Sequence, residues 1–331
     1  MINVQGIVGH EDIIKHLDRA IINGKISHAY IFHGEDGSGK TTLARAFVKA
    51  LQCQEKGSQA CSNCVSCSQI DSNNHPDIIY VRHEKVSIGV EDIRRQVNAD
   101  IHVKPYKGPY KIYIIDEAEQ LTEQAQNALL KTIEEPPGYA LIILLATNIE
   151  VLLPTILSRS VVLNLKPIEE QKIKEFLMLN HNIPDYMAEM AAKFSGGNIG
   201  KAIKYALSGD FEKLKEDILH ILKYMDEMEL SEIISGIQTV SQNRTSLEDS
   251  IDLMMLWYRD LLMLKATNNL DLIIYKEEIE TLRKQTKYIS YEGLENIIKA
   301  MEKAKRRISF NVNADIAIEL MLLTIKENYN D

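Results

Sequence analysis

The sequence lacks a long apolar run and a targeting segment. No stretch approaches the roughly 18 consecutive apolar residues that a membrane-spanning helix needs, which argues against a helical membrane protein. The N-terminus, MINVQGIVGH, has neither the basic region nor the apolar region of a secretory signal. We therefore expect a cytoplasmic protein that does not contact a membrane.

An excess of positive charge is also missing. The 38 Lys and Arg residues are outnumbered by 47 Asp and Glu, which gives a net charge of −9. This balance argues against a protein coated in basic surface, but it leaves room for local nucleic-acid contacts, because a few phosphate ligands suffice. The length of 331 residues exceeds the ~250–300 at which single cores stop growing, so we expect two or three domains.

Cysteine is scarce, and its four copies lie together in LQCQEKGSQACSNCVSCSQ. In a cytoplasmic protein thiols stay reduced, so clustered cysteines favour a metal over disulfides. Four thiolates complete a closed tetrahedral zinc site, which has no open position and is therefore structural. Free thiols, a redox pair and an iron–sulfur cluster are the alternatives, but nothing nearby suggests electron transfer. We predict one structural zinc, bound by Cys53, Cys61, Cys64 and Cys67.

A glycine-rich segment follows an apolar strand in AYIFHGEDGSGKTTLARAFVKAL. The spacing G-x4-G-K-[ST] between a strand and an amphipathic helix is the context that makes this motif specific for phosphate. Glycines let backbone N–H groups surround phosphate oxygens, and the helix N-terminus favours anions. A glycine-rich turn without a ligand is the alternative. We predict a site for ATP or ADP with magnesium, where Lys40 meets the β- and γ-phosphates, Thr41 binds the ion, and the other loop residues are Gly34, Gly37, Ser38, Gly39 and Thr42.

Two further apolar strands end in polar residues that suit the same site. YKIYIIDEAEQL ends at Asp116 and Glu117, and the carboxyl ends of parallel strands lie beside the phosphate loop. We expect Asp116 to hold Mg²⁺ through water and Glu117 to orient or deprotonate the attacking water. ALIILLATN ends at Thr147 and Asn148. Asn148 either hydrogen-bonds the γ-phosphate or the attacking water, or caps the following turn.

Strand-like and helical segments alternate over the first 165 residues, which predicts a parallel, doubly wound α/β sheet. EQAQNALLKTIEEPPG predicts a helix that ends at Glu135, because a residue before proline avoids the α conformation. From 166 onwards the pattern is helical, with short helices at 168–180 and 184–207. The predicted strands are 29–32, 77–82, 112–115, 141–146 and 161–165.

These motifs together resemble the clamp-loader subunits of bacterial DNA polymerase III, which belong to the AAA+ ATPases. GPYKIYIIDEAEQLTEQAQNALLKTIEEPP is highly specific to that group, and the cysteines stand where these subunits carry a zinc module. LLPTILSRS resembles the family's Ser-Arg-Cys motif, and RRISFNVNADIAIELMLL resembles its C-terminal collar helix. IVGHEDIIKHL resembles its N-terminal nucleotide-edge segment, which implies that Val8 contacts the nucleotide.

The resemblance implies three domains and two further site residues. These domains are an AAA+ nucleotide-binding domain at 1–165 with a zinc module at 53–67, a helical lid at 166–208 and a helical collar at 209–331. Arg159 is expected to project into a neighbouring subunit's ATP site and stabilise the transferring phosphoryl group. A surface salt bridge or helix cap is the alternative for this arginine. Lys201, in GGNIGKAI, stands where the lid's sensor helix carries an arginine, and it can still contact phosphate.

Departures from the family pattern point to a particular kind of subunit. Ser160 replaces the cysteine of the Ser-Arg-Cys motif, Lys201 replaces the sensor arginine, the N-terminal lead is short and no long tail follows the collar. These differences favour a fixed structural member of a five-subunit ring over its repeating gamma/tau motor, with weak hydrolysis by the isolated chain. A stand-alone AAA+ remodeller of proteins is the alternative from another class. A zinc enzyme is disfavoured, since four cysteines fill the coordination sphere.

The partners implied by the resemblance are the delta and gamma/tau subunits in a hetero-pentamer, the sliding clamp, and primed DNA. Family members follow the phosphate backbone without reading bases, so DNA should bind without sequence specificity. Candidate contacts, for which a solvated helix face is the alternative, are Arg94, Arg95, Lys104, Lys107 and the basic cluster 303–307.

Overall fold

The structure, a computed structural model, describes residues 7–55, 59–83, 87–225, 227–240, 244–309 and 313–329. It divides into two units, Met1–Lys204 and Tyr205–Asp331. The predicted division into three domains, with a separate lid at 166–208, stays a prediction.

Five short apolar strands form one parallel sheet in the first unit, in the order β2-β3-β4-β1-β5. The predicted parallel α/β sheet is confirmed, although β2 is shorter than the run 77–82 suggested. His33, the last residue of β1, pairs with Ala146 on one side and Asn164 on the other, so three strands end at the same edge. The strands are β1 (Ala29–His33), β2 (Ile78–Tyr80), β3 (Lys111–Ile115), β4 (Ala140–Ala146) and β5 (Val161–Asn164).

Among the described residues of the first unit, one helix precedes the first strand, five lie between strands, and three more follow the last strand. The helix predicted in EQAQNALLKTIEEPPG ends at Glu134, one residue before the predicted end. A π-helical segment, Arg94–Asn98, directly continues the fourth helix. The helices are α1 (Glu11–Ile22), α2 (Lys40–Gln52), α3 (Val65–Asp71), α4 (Val90–Ile93), α5 (Glu123–Glu134), α6 (Pro154–Leu157), α7 (Glu170–His181), α8 (Asp185–Phe194) and α9 (Ile199–Leu207).

Both faces of the sheet are buried, as a doubly wound arrangement requires. Alternate residues of a strand point to opposite faces. On β1, Tyr30 and Phe32 belong to a core shared with α2, whereas Ile31 belongs to a second core shared with α5. Burial on both faces explains why the strands are continuous apolar runs.

Asp77, just before β2, anchors the loop that leads into β3. Its carboxylate is buried and accepts hydrogen bonds from the N–H groups of Tyr106, Lys107 and Gly108, the last two at 2.7 and 2.8 Å. Burial favours the neutral acid, but these three donors outweigh it and lower the pKa of Asp77. A carboxylate with a lowered folded-state pKa stabilises the fold above its unfolded pKa and loses that stabilisation as the pH falls through the folded value.

Asp77→Asn should therefore lower the free energy of unfolding by about 2 kcal/mol at pH 7, because an amide presents a donor where the carboxylate accepted. The difference between variant and wild type should shrink below about pH 4. Urea unfolding at pH 7 and at pH 3 measures both effects. Glu91→Gln is the control, since Glu91 is exposed and pairs with Arg94 on the surface at 2.9 Å. Equal effects of the two substitutions at pH 7 would contradict the anchoring role.

The regular elements described in the second unit are all helices, as the sequence predicted. Trp257 is fully buried, its ring lies 5.3 Å from that of Tyr275, and its Nε1 donates to Gln285. Residues 310–312, within the stretch that resembles the collar helix, lie outside the described residues. None of the described helices is long and apolar enough to cross a membrane. The helices are α10 (Phe211–Lys223), α11 (Leu230–Val240), α12 (Arg244–Thr267), α13 (Ile279–Gln285), α14 (Tyr291–Ser309) and α15 (Ala314–Glu327).

Candidate functional site

The phosphate loop connects β1 to α2 and leaves polar groups available at the start of that helix. Gly37 and Gly39 have φ angles of 78° and 97°, a left-handed conformation that glycine adopts at little cost. Gly39 is the N-cap of α2, and no side chain caps the first turn, so helix N–H groups remain for an anion. Among the described residues, the buried Ser38 Oγ finds no hydrogen-bond partner. These features fit a phosphate group.

Lys40, the first residue of α2, is held by oxygens of its own loop. Its Nζ donates to the carbonyls of Gly34 at 2.7 Å and Glu35 at 3.0 Å, and lies 3.3 Å from the Asp36 carboxylate. The side chain is buried, whereas that of Asp36 is exposed. An ammonium group in this position is ready to exchange these oxygens for those of a phosphate.

A cavity of about 390 Å³ lies beside the loop, within the ~300–1,000 Å³ usual for cofactor pockets. Apolar side chains that the sequence did not single out, Ile7, Ile199 and Ile203, also line it and offer the kind of surface that a base requires. Gly34 begins the loop and is not part of this lining. The predicted site residues that line the cavity are Val8, Gly37, Ser38, Gly39, Lys40, Thr41, Thr42, Asp116 and Glu117.

Asp116 and Glu117 follow β3 and present two exposed carboxylates to this cavity. The Glu117 N–H donates to Asp116 Oδ1 at 3.0 Å, and Glu117 has a left-handed φ of 49°, which is uncommon for a residue other than glycine. Nε2 of His83 lies 4.0 Å from Glu117 Oε2. These carboxylates and Thr41 line the same cavity, and their oxygens are the ligand type that magnesium prefers.

Asn148 follows β4 but is not among the residues that line the cavity. Its Oδ1 accepts a hydrogen bond from the Glu150 N–H at 2.9 Å, which is the turn-capping alternative raised by the sequence. Thr147 donates from its N–H and its hydroxyl to the carboxylate of Glu119, so the end of β4 is fixed by a neighbouring segment. A contact between Asn148 and a phosphate stays a prediction.

Arg159 lies just after α6, and it too is outside this lining. Its Nε lies 3.1 Å from Glu134 Oε1, and its Nη1 donates to Thr155 O at 3.3 Å and to Ser158 Oγ at 3.2 Å. The side chain is 43% exposed. The salt-bridge alternative is therefore present in this structure, and a contact with another chain stays a prediction.

Lys201 is the third residue of α9, next to Gly200, which lines the cavity. The Lys201 N–H donates to Oδ1 of Asn198 at 3.1 Å, so Asn198 caps the helix. Lys201 itself is not part of the lining. A contact between its ammonium group and a phosphate stays a prediction.

The four cysteine sulfurs converge on one point. Cys53 follows α2, Cys67 lies on α3, and the other two lie between these helices. All four thiols are free, and their Sγ atoms lie within 4.8 Å of one another. The described residues thus contain a tetrathiolate set that can bind a metal ion.

Backbone N–H groups donate to three of these sulfurs. The N–H groups of Cys61, Cys64 and Cys67 reach the sulfurs of Cys53, Cys61 and Cys64 at 3.3, 3.3 and 3.4 Å. Such donors favour the thiolate form that a metal requires. Burial opposes ionisation of Cys64, but its N–H donors lower the pKa of that thiol to about 6, whereas burial raises the pKa of Cys67. The donor set fits zinc, whose binding would release the remaining thiol protons.

The sequence did not reveal two residues that touch the phosphate loop. Nε2 of His10 lies 3.2 Å from Ser38 O, and Nδ2 of Asn198 donates to Asp36 O at 2.7 Å. Burial lowers the pKa of His10, so its imidazole is neutral at pH 7. The only available signal was the position of Asn198 between a glycine pair and a helix, which indicates a cap.

Comparisons with known proteins place the chain near one group. The family model described as DNA polymerase III, delta subunit matches residues 9–169. DNA polymerase III subunit delta' of Bacillus subtilis is 27% identical over 318 residues, which cover 95% of this chain and 95% of that protein. Subunit tau of the same organism is 28% identical, covering 97% of this chain but 61% of tau. A solved DNA polymerase III gamma subunit-related protein from Thermotoga maritima has a TM-score of 0.47 at 20% identity, covering 96% of this chain and 99% of that chain.

Proposed function

Because the chain belongs to the clamp-loader subunits of bacterial DNA polymerase III, we propose that it is the delta prime-type member of that complex. In this role it is a fixed member of a hetero-pentamer with delta and gamma/tau subunits, and it helps to open the sliding clamp and load it on primed DNA. The observation that carries the proposal is the end-to-end match to a delta' subunit, which covers 95% of both chains, whereas the match to tau covers 61% of tau.

The first unit acts as an AAA+ domain that binds ATP or ADP with magnesium beside the phosphate loop. Lys40 offsets the charge of the β- and γ-phosphates, and the N–H groups at the start of α2 bind phosphate oxygens. Thr41 and Asp116 hold the magnesium, which neutralises phosphate charge, and Glu117 orients the attacking water. Asn148 and Lys201, which lie outside the cavity lining, are the candidates for a γ-phosphate contact that requires movement.

The cysteine cluster holds a structural zinc. Cys53, Cys61, Cys64 and Cys67 supply four sulfurs within 4.8 Å of one another, which leaves no coordination position for water. The zinc therefore stabilises the segment between α2 and β2 and takes no part in hydrolysis.

Arg159 serves the ATP site of a neighbouring subunit. Arg159 lies outside the cavity lining of its own chain and its side chain is 43% exposed, so another chain can reach it. A guanidinium presents a planar set of donors to the oxygens of a transferring phosphoryl group. On docking, it would exchange its ion pair with Glu134 for those oxygens.

The first unit contacts the phosphate backbone of DNA and does not recognise the bases. Arg94 and Arg95 are exposed on one helical segment and pair weakly with Glu91 and Asp92 at 2.9 and 3.7 Å. Exposed pairs contribute little to stability, so these arginines can exchange carboxylates for backbone phosphates at small cost.

Reconstitution of the ring with Arg159→Ala tests the proposal. DNA-stimulated ATP hydrolysis and clamp loading should both fall, but only partially, because the other sites keep their own arginines. Assembly and nucleotide binding by this chain should be unchanged. The matched control is Glu134→Gln, which breaks the same ion pair but keeps the guanidinium, and it should retain full hydrolysis.

Three other outcomes would contradict parts of this function. Equal hydrolysis with Arg159→Ala and wild-type chains would remove the role in trans. Rapid multiple-turnover hydrolysis by the isolated chain would favour the gamma/tau motor, to which the chain is 28% identical. A homo-oligomer that forms without delta and gamma/tau subunits would favour a stand-alone AAA+ remodeller.

A further inference from the structure

Three consecutive carbonyl groups of the phosphate loop are held by donors from outside the loop. Asp36 O accepts from Nδ2 of Asn198 at 2.7 Å, and Gly37 O accepts from the N–H of Gly200 at 2.8 Å. Ser38 O lies 3.2 Å from Nε2 of His10. Because a carbonyl oxygen only accepts, Nε2 of His10 carries the proton.

These contacts are partly buried, and the backbones approach each other closely. Asn198 is 5% exposed, and its two amide atoms have separate tasks: Oδ1 caps α9 at Lys201, and Nδ2 reaches the loop. A Cβ at Gly200 would lie 2.7 Å from Gly37 Cα and 2.9 Å from Gly37 O, closer than real contacts allow. The start of α9 therefore lies directly against the loop backbone.

Holding the carbonyls fixes the direction of the amides. A peptide bond is planar and trans, so its N–H points away from its C=O. The bond that joins Asp36 to Gly37 and the bond that joins Ser38 to Gly39 thus aim the N–H groups of Gly37 and Gly39 away from Asn198 and His10. The intervening Ser38 N–H is already used in a turn with Glu35 O at 3.1 Å.

We propose that His10 and Asn198 are positioning residues, which hold the Asp36 and Ser38 carbonyls so that the Gly37 and Gly39 N–H groups are preorganised for a nucleotide's phosphates. The inference rests on the proposed nucleotide site. Without these donors, the loop samples conformations in which the two N–H groups diverge. The entropy lost when binding orders these groups then lowers the affinity for the nucleotide. His10 also lines the nucleotide cavity, whereas Asn198 is not part of its lining.

Asn198→Ser separates the two tasks of the asparagine. Serine is a good N-cap and is neutral, so it keeps the cap on α9, but its short hydroxyl does not reach Asp36 O. The affinity for ADP, measured by calorimetry, should fall about 3- to 10-fold, the worth of one hydrogen bond. Hydrogen exchange at the Gly37 amide in the nucleotide-free protein should rise, with no rise at Lys201. Asn313→Ser, the same substitution at the N-cap of α15, is the control and should leave both unchanged.

His10 offers an independent test with a matched pair of variants. His10 has a left-handed φ of 59°, which strains leucine and glutamine equally. These two side chains are similar in size, but only glutamine can donate to Ser38 O. His10→Leu should weaken ADP binding about 3- to 10-fold and raise exchange at Gly39, and His10→Gln should restore most of both.

The outcomes separate the inference from the function on which it rests. No binding of ADP by the wild-type chain would overturn the nucleotide site itself. Wild-type binding that Asn198→Ser and His10→Leu leave unchanged, with unchanged exchange at Gly37 and Gly39, would overturn the positioning role alone. Equal losses in His10→Leu and His10→Gln would show that His10 acts through packing, which also contradicts the proposal for that residue.

Discussion

Cys67→Ser will abolish metal binding and unfold the segment between α2 and α3. The wild-type chain, purified without added metal, should carry close to one zinc, and the variant should carry none. Cys67 is fully buried, and among the described residues the apolar cluster around it consists of the cysteines and Ala60, which is too small to fold alone. Zinc binding in comparable small modules provides ~10–16 kcal/mol of folding free energy. Elemental analysis and amide exchange over residues 59–67 measure the two effects.

The loss of order should stop at α3. Its C-terminal end is held to α2 without the metal, because Arg45 donates to Ile70 O at 2.8 Å and Lys49 pairs with Asp71 at 2.7 Å. Ser68→Ala is the control, since Ser68 is exposed on the same helix and offers no metal ligand. A zinc-free wild-type chain whose four thiols react freely while the segment keeps its amide protection would sink this prediction.

Local patterns were sufficient to predict the sheet and the phosphate loop. Each strand was visible as an apolar run because both faces of the sheet are buried, and the predicted ends of four strands differ from the structure by at most one residue. The exception is the edge strand β2, where the run 77–82 gave only Ile78–Tyr80. The backbone of Asp77 still accepts from the N–H of Ile112 on β3 at 2.8 Å, although the assigned strand begins one residue later, and its side chain binds the 106–108 amides. The cysteine cluster likewise followed from spacing alone.

Contacts between distant segments could not be predicted from the sequence. The cap on α9 was visible locally, but nothing at Asn198 indicates that its other amide atom reaches Asp36, 162 residues away. The same holds for Arg159, whose ion pair with Glu134 depends on how α5 and α6 pack. Periodicity also does not predict the π-helical segment after α4, because its five residues make only about one turn, too short to distinguish the two periods.

Lys40→Met will weaken the binding of ATP or ADP by about 10²-fold or more, because charge-assisted hydrogen bonds contribute about 1.5–3 kcal/mol each and every 1.4 kcal/mol is tenfold. Methionine keeps the length of the side chain but removes the cation that faces the phosphates. Because the Gly34 and Glu35 carbonyls also lose their donor, the free energy of unfolding of the variant should be lower by about 1 kcal/mol. Calorimetry with each nucleotide and urea unfolding measure these two losses separately.

The control for Lys40 lies two and a half turns further along the same helix. Lys49→Met removes an equal charge from α2, but Lys49 pairs with Asp71 and is not part of the cavity lining, so nucleotide affinity should stay within about twofold of wild type. A general effect of net charge would weaken nucleotide binding equally in both variants. A direct contact between Lys40 and phosphate predicts weaker binding in Lys40→Met alone. Nucleotide binding that survives Lys40→Met at full affinity would mean that the phosphate loop does not hold the phosphates, and the proposed ATP site would fall with it.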